Sequence, residues 1–334
     1  MSAEGQRPRL VDVAKLAGVS MRTVSNVVND YPHVADATRE RVERAISELG
    51  YRPNLVARNL ASGRTGLVAL VVPRLEMPYF ASLAQQMLEV AEAEGVVLVV
   101  QQTHDSHALE LKALEGRFGQ PIDGIVLSST TLTDEDIARR RSRLPLVLLG
   151  DRVWPESVSA VAIDQVEAAK AAVAHLFSLG RRRVAVVGPG VSGGSNARWR
   201  GWVQAHEEAG VTVDPALQVE SEGISGEHGV AAGVHIATAH PRPDAVFCFT
   251  DWLALGVIRG LQRAGLSVPE DVAVVGFDDI PYGRASNPTL TTISPDRGQI
   301  AAVALRSVLD QGRVTTPPAR HEASWRLVVR ESSG

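Results

Sequence analysis

The sequence predicts an α/β protein in two parts: a short all-α head, then a longer body of two Rossmann-like lobes built on parallel sheets. Three observations carry that prediction. Residues 10–49 place apolar side chains at helical spacing in three short runs, each stopped by a glycine or a polar turn. From Leu67 the pattern changes to continuous apolar strands separated by helical stretches. That alternation occurs in two similar sets, as expected of two α/β units in tandem.

In the head, the segment LVDVAKLAGVSMRTVSNVVN (10–29) sets Val13, Leu16 and Ala17 at i, i+3, i+4, one face of a short helix. Gly18 ends it, because glycine accepts the left-handed backbone of a tight turn. Ser20 is placed as an N-cap, and Val24, Val27 and Val28 give a second apolar stripe. Two short helices joined by a glycine-containing turn form a helix-turn-helix. In that motif the outward residues at the start of the second helix enter the major groove. Here they are Met21, Arg22 and, one turn later, Asn26; arginine suits guanine and asparagine suits adenine. Thr23, Ser25 and Asn29 flank them as phosphate donors, and His33 is placed for a backbone contact. Taken alone, the stretch also fits a surface hairpin of helices with solvated polar residues.

A third helix is expected over 37–49, with Val42, Ala45, Ile46 and Leu49 on one face and Gly50 as its stop. Tyr51-Arg52-Pro53-Asn54 then leads into a candidate helix from Asn54 to Ala61, with Pro53 suited to a first turn. A helix of about eight residues is marginal in water without a partner. It is therefore expected to order only when docked.

The body's strands read as GLVALVVP, VVLVVQQ, GIVLSS and LPLVLLG, followed by RRVAVVGP, PALQVESEG, DAVFCFT and DVAVVGFDD. Helical stretches lie at 79–94, 109–118 and 134–143, then around 165–179, 197–209, 226–239 and 252–264. Runs that are apolar throughout, rather than alternating, predict strands covered on both faces and hence parallel sheets. Ligands of such sheets bind beyond the carboxyl ends of the strands, which for two facing lobes means the cleft between them.

These residues carry a resemblance. AGVS-x-x-TVS-x-VVN, V-x-x-x-TRERV and ELGYRPN-x-x-AR-x-L resemble the head of LacI/GalR-type transcription regulators, nearly without gaps from Leu10 to Gly66. DQ-x-x-AA-x-x-A-x-x-HL-x-x-LG, R-x-x-GW, GLSVPEDVAVVGFDDIP, PTLTTI and the closing SWRLVVRESSG are similar to the sensor core of that family. The resemblance covers essentially the whole chain. It implies a helix-turn-helix domain over 1–52, a hinge helix and linker over 53–65, and an effector-binding and dimerisation domain over 66–334. The last would be a two-lobed fold like periplasmic sugar-binding proteins, with lobe 1 at about 66–163 and 294–322 and lobe 2 at about 164–292 and 323–334.

The resemblance also assigns residues. Tyr51, Asn54, Ala57, Arg58 and Leu60 join the DNA-binding set, with Leu60 as the wedge that opens a minor-groove step and Ala57 at the contact between paired hinge helices. In the sensor, Arg198 would grip ligand hydroxyls or carboxylates with Asp278 as the acidic residue facing it, and Tyr79 and Phe80 would stack on the ligand. Asp164, Ile224, Thr250 and Asp251 complete the effector set. Asp164 also fits a plain helix cap, and Ile224 plain core packing. The resemblance implies a homodimer on a pseudo-palindromic operator, a sugar or sugar-like effector, a cytoplasmic protein found on the nucleoid when bound to DNA, and repression as the commoner mode. The chain departs from the family pattern at Met77-Pro78, Thr250-Asp251 and Gly180-Arg181-Arg182-Arg183. The first two touch the ligand wall, so no ligand identity carries over.

Composition agrees with this reading. Hydrophobic residues make up 45% and charged residues 22% of 334, an ordinary globular mixture. Residues 1–64 hold 10 Lys+Arg against 7 Asp+Glu, so the net charge of −4 divides into a basic head and an acidic body, as expected of a DNA-contacting end. No apolar run is long enough to span a membrane, and the polar, basic start does not look like a signal peptide. Cys248, the single cysteine, is expected to be a buried small hydrophobe, and His175 to face the core of its helix. No metal and no cofactor is expected. The chain's last residues show no heptad repeat, so tetramers built through a helical tail are not expected.

One motif competes. Gly188-Pro-Gly190-Val-Ser-Gly193 follows a strand and satisfies G-x-G-x-x-G, the dinucleotide fingerprint of a dehydrogenase. No acidic residue ends a following strand at the required distance. A lone match of this kind is weak, and the nine histidines show no metal-ligand spacing, so an enzyme is not expected. An exported binding protein without regulation is a second alternative, which the missing signal sequence and the head argue against.

Overall fold

The computed structural model describes residues 8–28, 31–51, 64–150, 152, 154–191, 196–312 and 317–334. Asn29 and the hinge residues Asn54, Ala57, Arg58 and Leu60 lie outside the described residues. The chain divides into two compact units, Met1–Gly66 and Leu67–Gly334.

The head is formed by α1 (Leu10–Ala17), α2 (Met21–Val28) and α3 (Asp36–Leu49). Gly18 and Gly50 end α1 and α3 in the left-handed conformation, at φ of 64° and 61°, where a Cβ would be strained. The core of this unit holds Val13, Ala14, Ala17, Val24, Val27, Val42, Ala45 and Tyr51. Two expectations are corrected here. Leu16 is 46% exposed, because the buried stripe of α1 runs through Ala14 instead. Tyr51, expected at DNA, is buried and packs in the head's core.

The body holds two six-stranded sheets. The first contains β1 (Leu67–Val72), β2 (Val97–Gln102), β3 (Gly124–Ser128), β4 (Leu146–Leu149), β5 (Ser159–Ala162) and β11 (Arg320–Glu322), in the order β11-β5-β4-β3-β1-β2. The second contains β6 (Val184–Gly188), β7 (Gln218–Glu220), β8 (Ala245–Cys248), β9 (Ala273–Phe277), β10 (Thr291–Pro295) and β12 (Trp325–Val328), in the order β12-β10-β9-β8-β6-β7. Every pairing is parallel except β10–β12, an antiparallel edge in which Ile293 faces Leu327. The chain passes between the sheets after β5, after β10 and after β11.

Helices cover the sheet faces: α4 (Pro78–Ala93), α5 (His107–Leu114), α6 (Asp134–Arg139), α7 (Gln165–Ser178), α8 (Ala197–Glu208), α9 (Gly226–Thr238), α10 (Asp251–Arg263) and α11 (Arg297–Gln311). Strands β1, β3, β4, β6, β8 and β9 are buried nearly end to end, which is why their sequences are apolar without alternation. α11 lies in a stretch where the sequence pattern was not read as helix, yet Ile300, Ala301, Ala304, Leu305, Val308 and Leu309 form its buried stripe. Helices α9 and α10 approach backbone to backbone: a Cβ on Gly229 would lie 2.2 Å from the Leu253 carbonyl oxygen, and one on Gly256 lies as close to Gly226. Cys248 is fully buried in β8. His175 shares a 2.9 Å hydrogen bond with Ser333.

Candidate effector cavity and DNA-reading helix

In the head, Ser20 caps α2 through its hydroxyl, which accepts from the Thr23 amide at 3.1 Å and lies 2.9 Å from the Thr23 hydroxyl. This cap is one short step beyond the left-handed turn at Gly18, and it sets where α2 begins. Met21 and Arg22 therefore occupy the first helical turn and are exposed, Met21 by 54%. Ser25 and Asn26 are half-buried one turn on. The apolar side of α2, Val24 and Val27, is fixed in the core, so the helix presents its polar side outward. His33 is exposed and meets Tyr31 edge to face at 5.5 Å.

In the body, a cavity of about 610 Å³ opens at the carboxyl ends of both sheets. Its first-sheet wall includes Arg74, Glu76, Tyr79, Phe80, Asp105, Ser128, Ser129 and Thr130. Its second-sheet wall includes Gln165, Asn196, Arg198, Ile224, His228, Thr250, Trp252, Phe277 and Asp278. Tyr79 and Phe80 start α4, where Pro78 holds the first turn, and their rings meet edge to face at 5.3 Å.

Arg198 sits in the first turn of α8, which Asn196 caps. Its Nε donates to Gln165 Oε1 at 2.7 Å, its Nη1 donates to the Phe249 carbonyl, and its guanidinium lies 3.8 Å over the Phe277 ring. The arginine is thus fixed before any ligand arrives. Its Nη2 is 3.8 Å from Asp278 Oδ1. That separation is too long for a good hydrogen bond. A hydroxyl, which both donates and accepts, can bridge the two groups.

Asp278 follows β9 with φ of 116°, a conformation that L-residues rarely adopt, so the turn aims its carboxyl at the cavity. Burial pushes that carboxyl up to about 7, against the pull of Arg198 and Arg297. Its neighbour Asp279 behaves oppositely. Burial would raise it, but hydrogen bonds from Arg330 at 2.6 Å, Arg284 at 2.9 Å and Ser294 at 3.0 Å hold it down at about 2.

Two expected effector residues stand elsewhere. Asp164 is exposed and caps α7 by accepting from the Glu167 amide at 2.9 Å; the next residue, Gln165, reaches the cavity instead. Asp251 is fully buried behind the wall, where it accepts from Thr292 at 2.5 Å and from the Ile280 amide at 2.8 Å. Burial and the Asp278 charge push it up to about 7. It ties α10 to β10 and is not part of the cavity lining. Thr250 does line the cavity while capping α10 through the Leu253 amide, and Ile224 lines it while packing on the core.

The sequence reading missed Glu110. This carboxylate is fully buried on α5 and accepts from the Ser129 hydroxyl at 2.6 Å, the Thr131 hydroxyl at 2.7 Å and the amides of Thr130, Thr131 and Leu132. Burial would raise it, but those donors outweigh burial and lower it. It folds the Ser129–Leu132 loop, two residues of which line the cavity. His228 and Trp252 were also missed; a glycine-rich stretch and a cap gave no reason to single them out.

The first of the fingerprint-like glycines has a packing cause. A Cβ on Gly188 would lie 2.0 Å from the Phe249 ring, so β6 needs glycine where β8 ends. Ser192 and Gly193 lie outside the described residues. Among the described residues no group of three or more His, Cys, Asp and Glu is placed to hold a metal ion, and no helix is long and apolar enough to cross a membrane.

Comparison with known proteins agrees with both parts. Residues 9–54 match the domain described as bacterial regulatory proteins, lacI family, and residues 173–333 match a periplasmic binding protein-like domain. Catabolite control protein A of Priestia megaterium is 34% identical over 300 residues, 89% of this chain and 90% of its own length. The transcriptional regulator CelR in complex with cellobiose superposes with a TM-score of 0.71 at 33% identity, covering 98% of this chain and all of that one. The lac repressor dimer bound to operator and the anti-inducer ONPF superposes with a TM-score of 0.83 at 25% identity, over 98% of this chain and 99% of that one. With a helix-turn-helix head and a two-sheet, cavity-bearing body, the chain belongs to the LacI family of bacterial DNA-binding transcriptional regulators.

Proposed function

We propose that this chain is a repressor whose grip on a specific operator is set by a sugar held in the cavity between its two sheets, and that it is not an enzyme. The observation that carries the reading is the pre-fixed Arg198 facing Asp278 across 3.8 Å, with aromatic side chains from both walls around them. Polyols suit such a pair because every hydroxyl both donates and accepts. The CelR complex with cellobiose supports a sugar as the ligand class.

On the DNA side, Met21, Arg22 and Asn26 read bases, and Ser20, Thr23, Ser25, Asn29 and His33 contact the backbone. Asn54, Ala57, Arg58 and Leu60 form the hinge helix in the minor groove. The working unit is a homodimer on a pseudo-palindromic operator, since one head covers one half-site; the lac repressor dimer on its operator supports this. Head, hinge and sensor divide at 1–52, 53–65 and 66–334, with lobe 1 at about 66–163 and 294–322. The protein acts in the cytoplasm, on the nucleoid when bound. Cavity occupancy and hinge ordering are linked, so either sugar-induced release or sugar-promoted binding is thermodynamically open to this design.

The test uses an operator selected from random duplexes by the full-length protein. Its mobility shift is followed with and without neutral sugars. A sugar-dependent change in operator affinity is expected. Failure to select any DNA sequence would overturn the reading.

A further inference from the structure

We infer that the cavity selects an uncharged, disaccharide-sized sugar and rejects phosphorylated or carboxylated analogues; this rests on the sugar reading above and narrows it. The wall carries four carboxylates, Glu76, Asp105, Glu222 and Asp278, against two guanidiniums, Arg74 and Arg198, and no lysine among its described residues.

Each guanidinium already faces a carboxylate. Arg74 donates to Asp105 at 2.6 Å and lies 3.6 Å from Glu76. Arg198 is held by Gln165 and the Phe249 carbonyl, stacked on Phe277 and turned toward Asp278. A phosphate entering this cavity would lose water, meet surplus negative charge and compete with a carboxylate for each cation. An ionised group buried without a free partner is strongly disfavoured. A neutral sugar meets no such penalty, and its hydroxyls find the Ser128 and Asn196 side chains along the wall.

Size points the same way. About 610 Å³ falls in the middle of the range of about 300–1,000 Å³ that encloses drug-sized ligands. That leaves room for two pyranose rings beside the aromatic side chains of Tyr79, Phe80 and Trp252.

The experiment is calorimetric titration of the full-length protein with cellobiose, sucrose, trehalose and maltose, each beside a charged counterpart: cellobionic acid, sucrose 6-phosphate, trehalose 6-phosphate and maltobionic acid. The expected result is that at least one neutral disaccharide binds and that its anionic counterpart binds at least tenfold more weakly. A second variant checks the cause. Asp105→Asn leaves the φ of 57° at that position, which asparagine tolerates, and releases Arg74. It should shrink the neutral-to-anionic ratio severalfold. An anionic sugar binding as tightly as its neutral partner would overturn the charge selection while leaving the sugar reading standing. Binding by no sugar, neutral or charged, would overturn both. A ratio unchanged in Asp105→Asn would overturn the role given to the Arg74–Asp105 pair.

Discussion

Asp278 and Asp279 are neighbours in sequence and both are buried, yet they belong to two regions with opposite purposes. Asp279 lies in the frame where β9, β10 and the chain's C-terminal stretch meet. Arg330, Arg284 and Ser294 fill its acceptor sites, and its proton affinity falls to about 2. Asp278 faces the cavity, the Arg198 guanidinium stands 3.8 Å away, and its proton affinity rises to about 7. Glu110 repeats the first pattern beneath the opposite wall. The difference teaches how to separate structure from function here: a buried carboxylate with every site filled holds the fold, and one left short of partners is reserved for a ligand.

The largest effect should come from the frame. Asp279→Asn leaves Arg330, which is 15% exposed, without its charged partner. Removing one member of a buried pair costs about 3–5 kcal/mol, so denaturant unfolding should show a loss of that size. The opposite pattern is expected of Arg198→Ala: sugar affinity should fall at least about 100-fold, close to 3 kcal/mol, while operator binding by the head persists. Calorimetry showing undiminished sugar affinity would remove Arg198 from the pocket.

Glu110→Gln sits between these two. It keeps the shape but removes charge-assisted acceptance from several donors, at about 2 kcal/mol of stability. It should also weaken sugar binding severalfold, because the Ser129–Leu132 loop loses its anchor. A stability loss with wholly unchanged sugar affinity would make Glu110 a frame residue only.

The smallest effect concerns pH. A carboxyl whose folded proton affinity is raised stabilises the fold most below its unfolded value, and that stability is lost as pH rises through about 7. For Asp279 the sign reverses, with stability present at neutral pH and lost as pH falls toward about 2. Asp278→Asn should therefore gain more stability over the parent at pH 8 than at pH 5, read as a larger rise in Tm at the higher pH. Equal Tm differences at both pH values would contradict the assignment.

Much of this was legible in sequence for a physical reason. Strands covered on both faces leave continuous apolar runs such as VALVV and VAVV, and capped helices leave glycine and serine at fixed places. What failed was short or shared. β5 is four residues of Ser and small apolar side chains, and β11 is entirely exposed, so neither carries a strand pattern. α11 was missed although its buried stripe, Ile300, Ala301, Ala304, Leu305, Val308 and Leu309, is regular. Leu16 shows that spacing names a face but not its neighbours. Glu110 has its partners about 20 positions downstream, and no local pattern joins them. Asp164 and Asp251 were drawn in by motif position, one of them displaced by a single residue from the Gln165 that reaches the cavity.

The central claim is that occupancy of the Asp278–Arg198 cavity sets the grip on DNA. It is tested most directly by fluorescence anisotropy of a selected operator, titrated with the full-length protein with and without a saturating neutral disaccharide found by calorimetry. The parent and Arg198→Ala are measured side by side. The account predicts that the sugar shifts the parent's operator affinity at least fivefold, and that Arg198→Ala binds operator with the parent's sugar-free affinity and shows no shift. An equal shift in both proteins would place control outside this cavity and contradict the account.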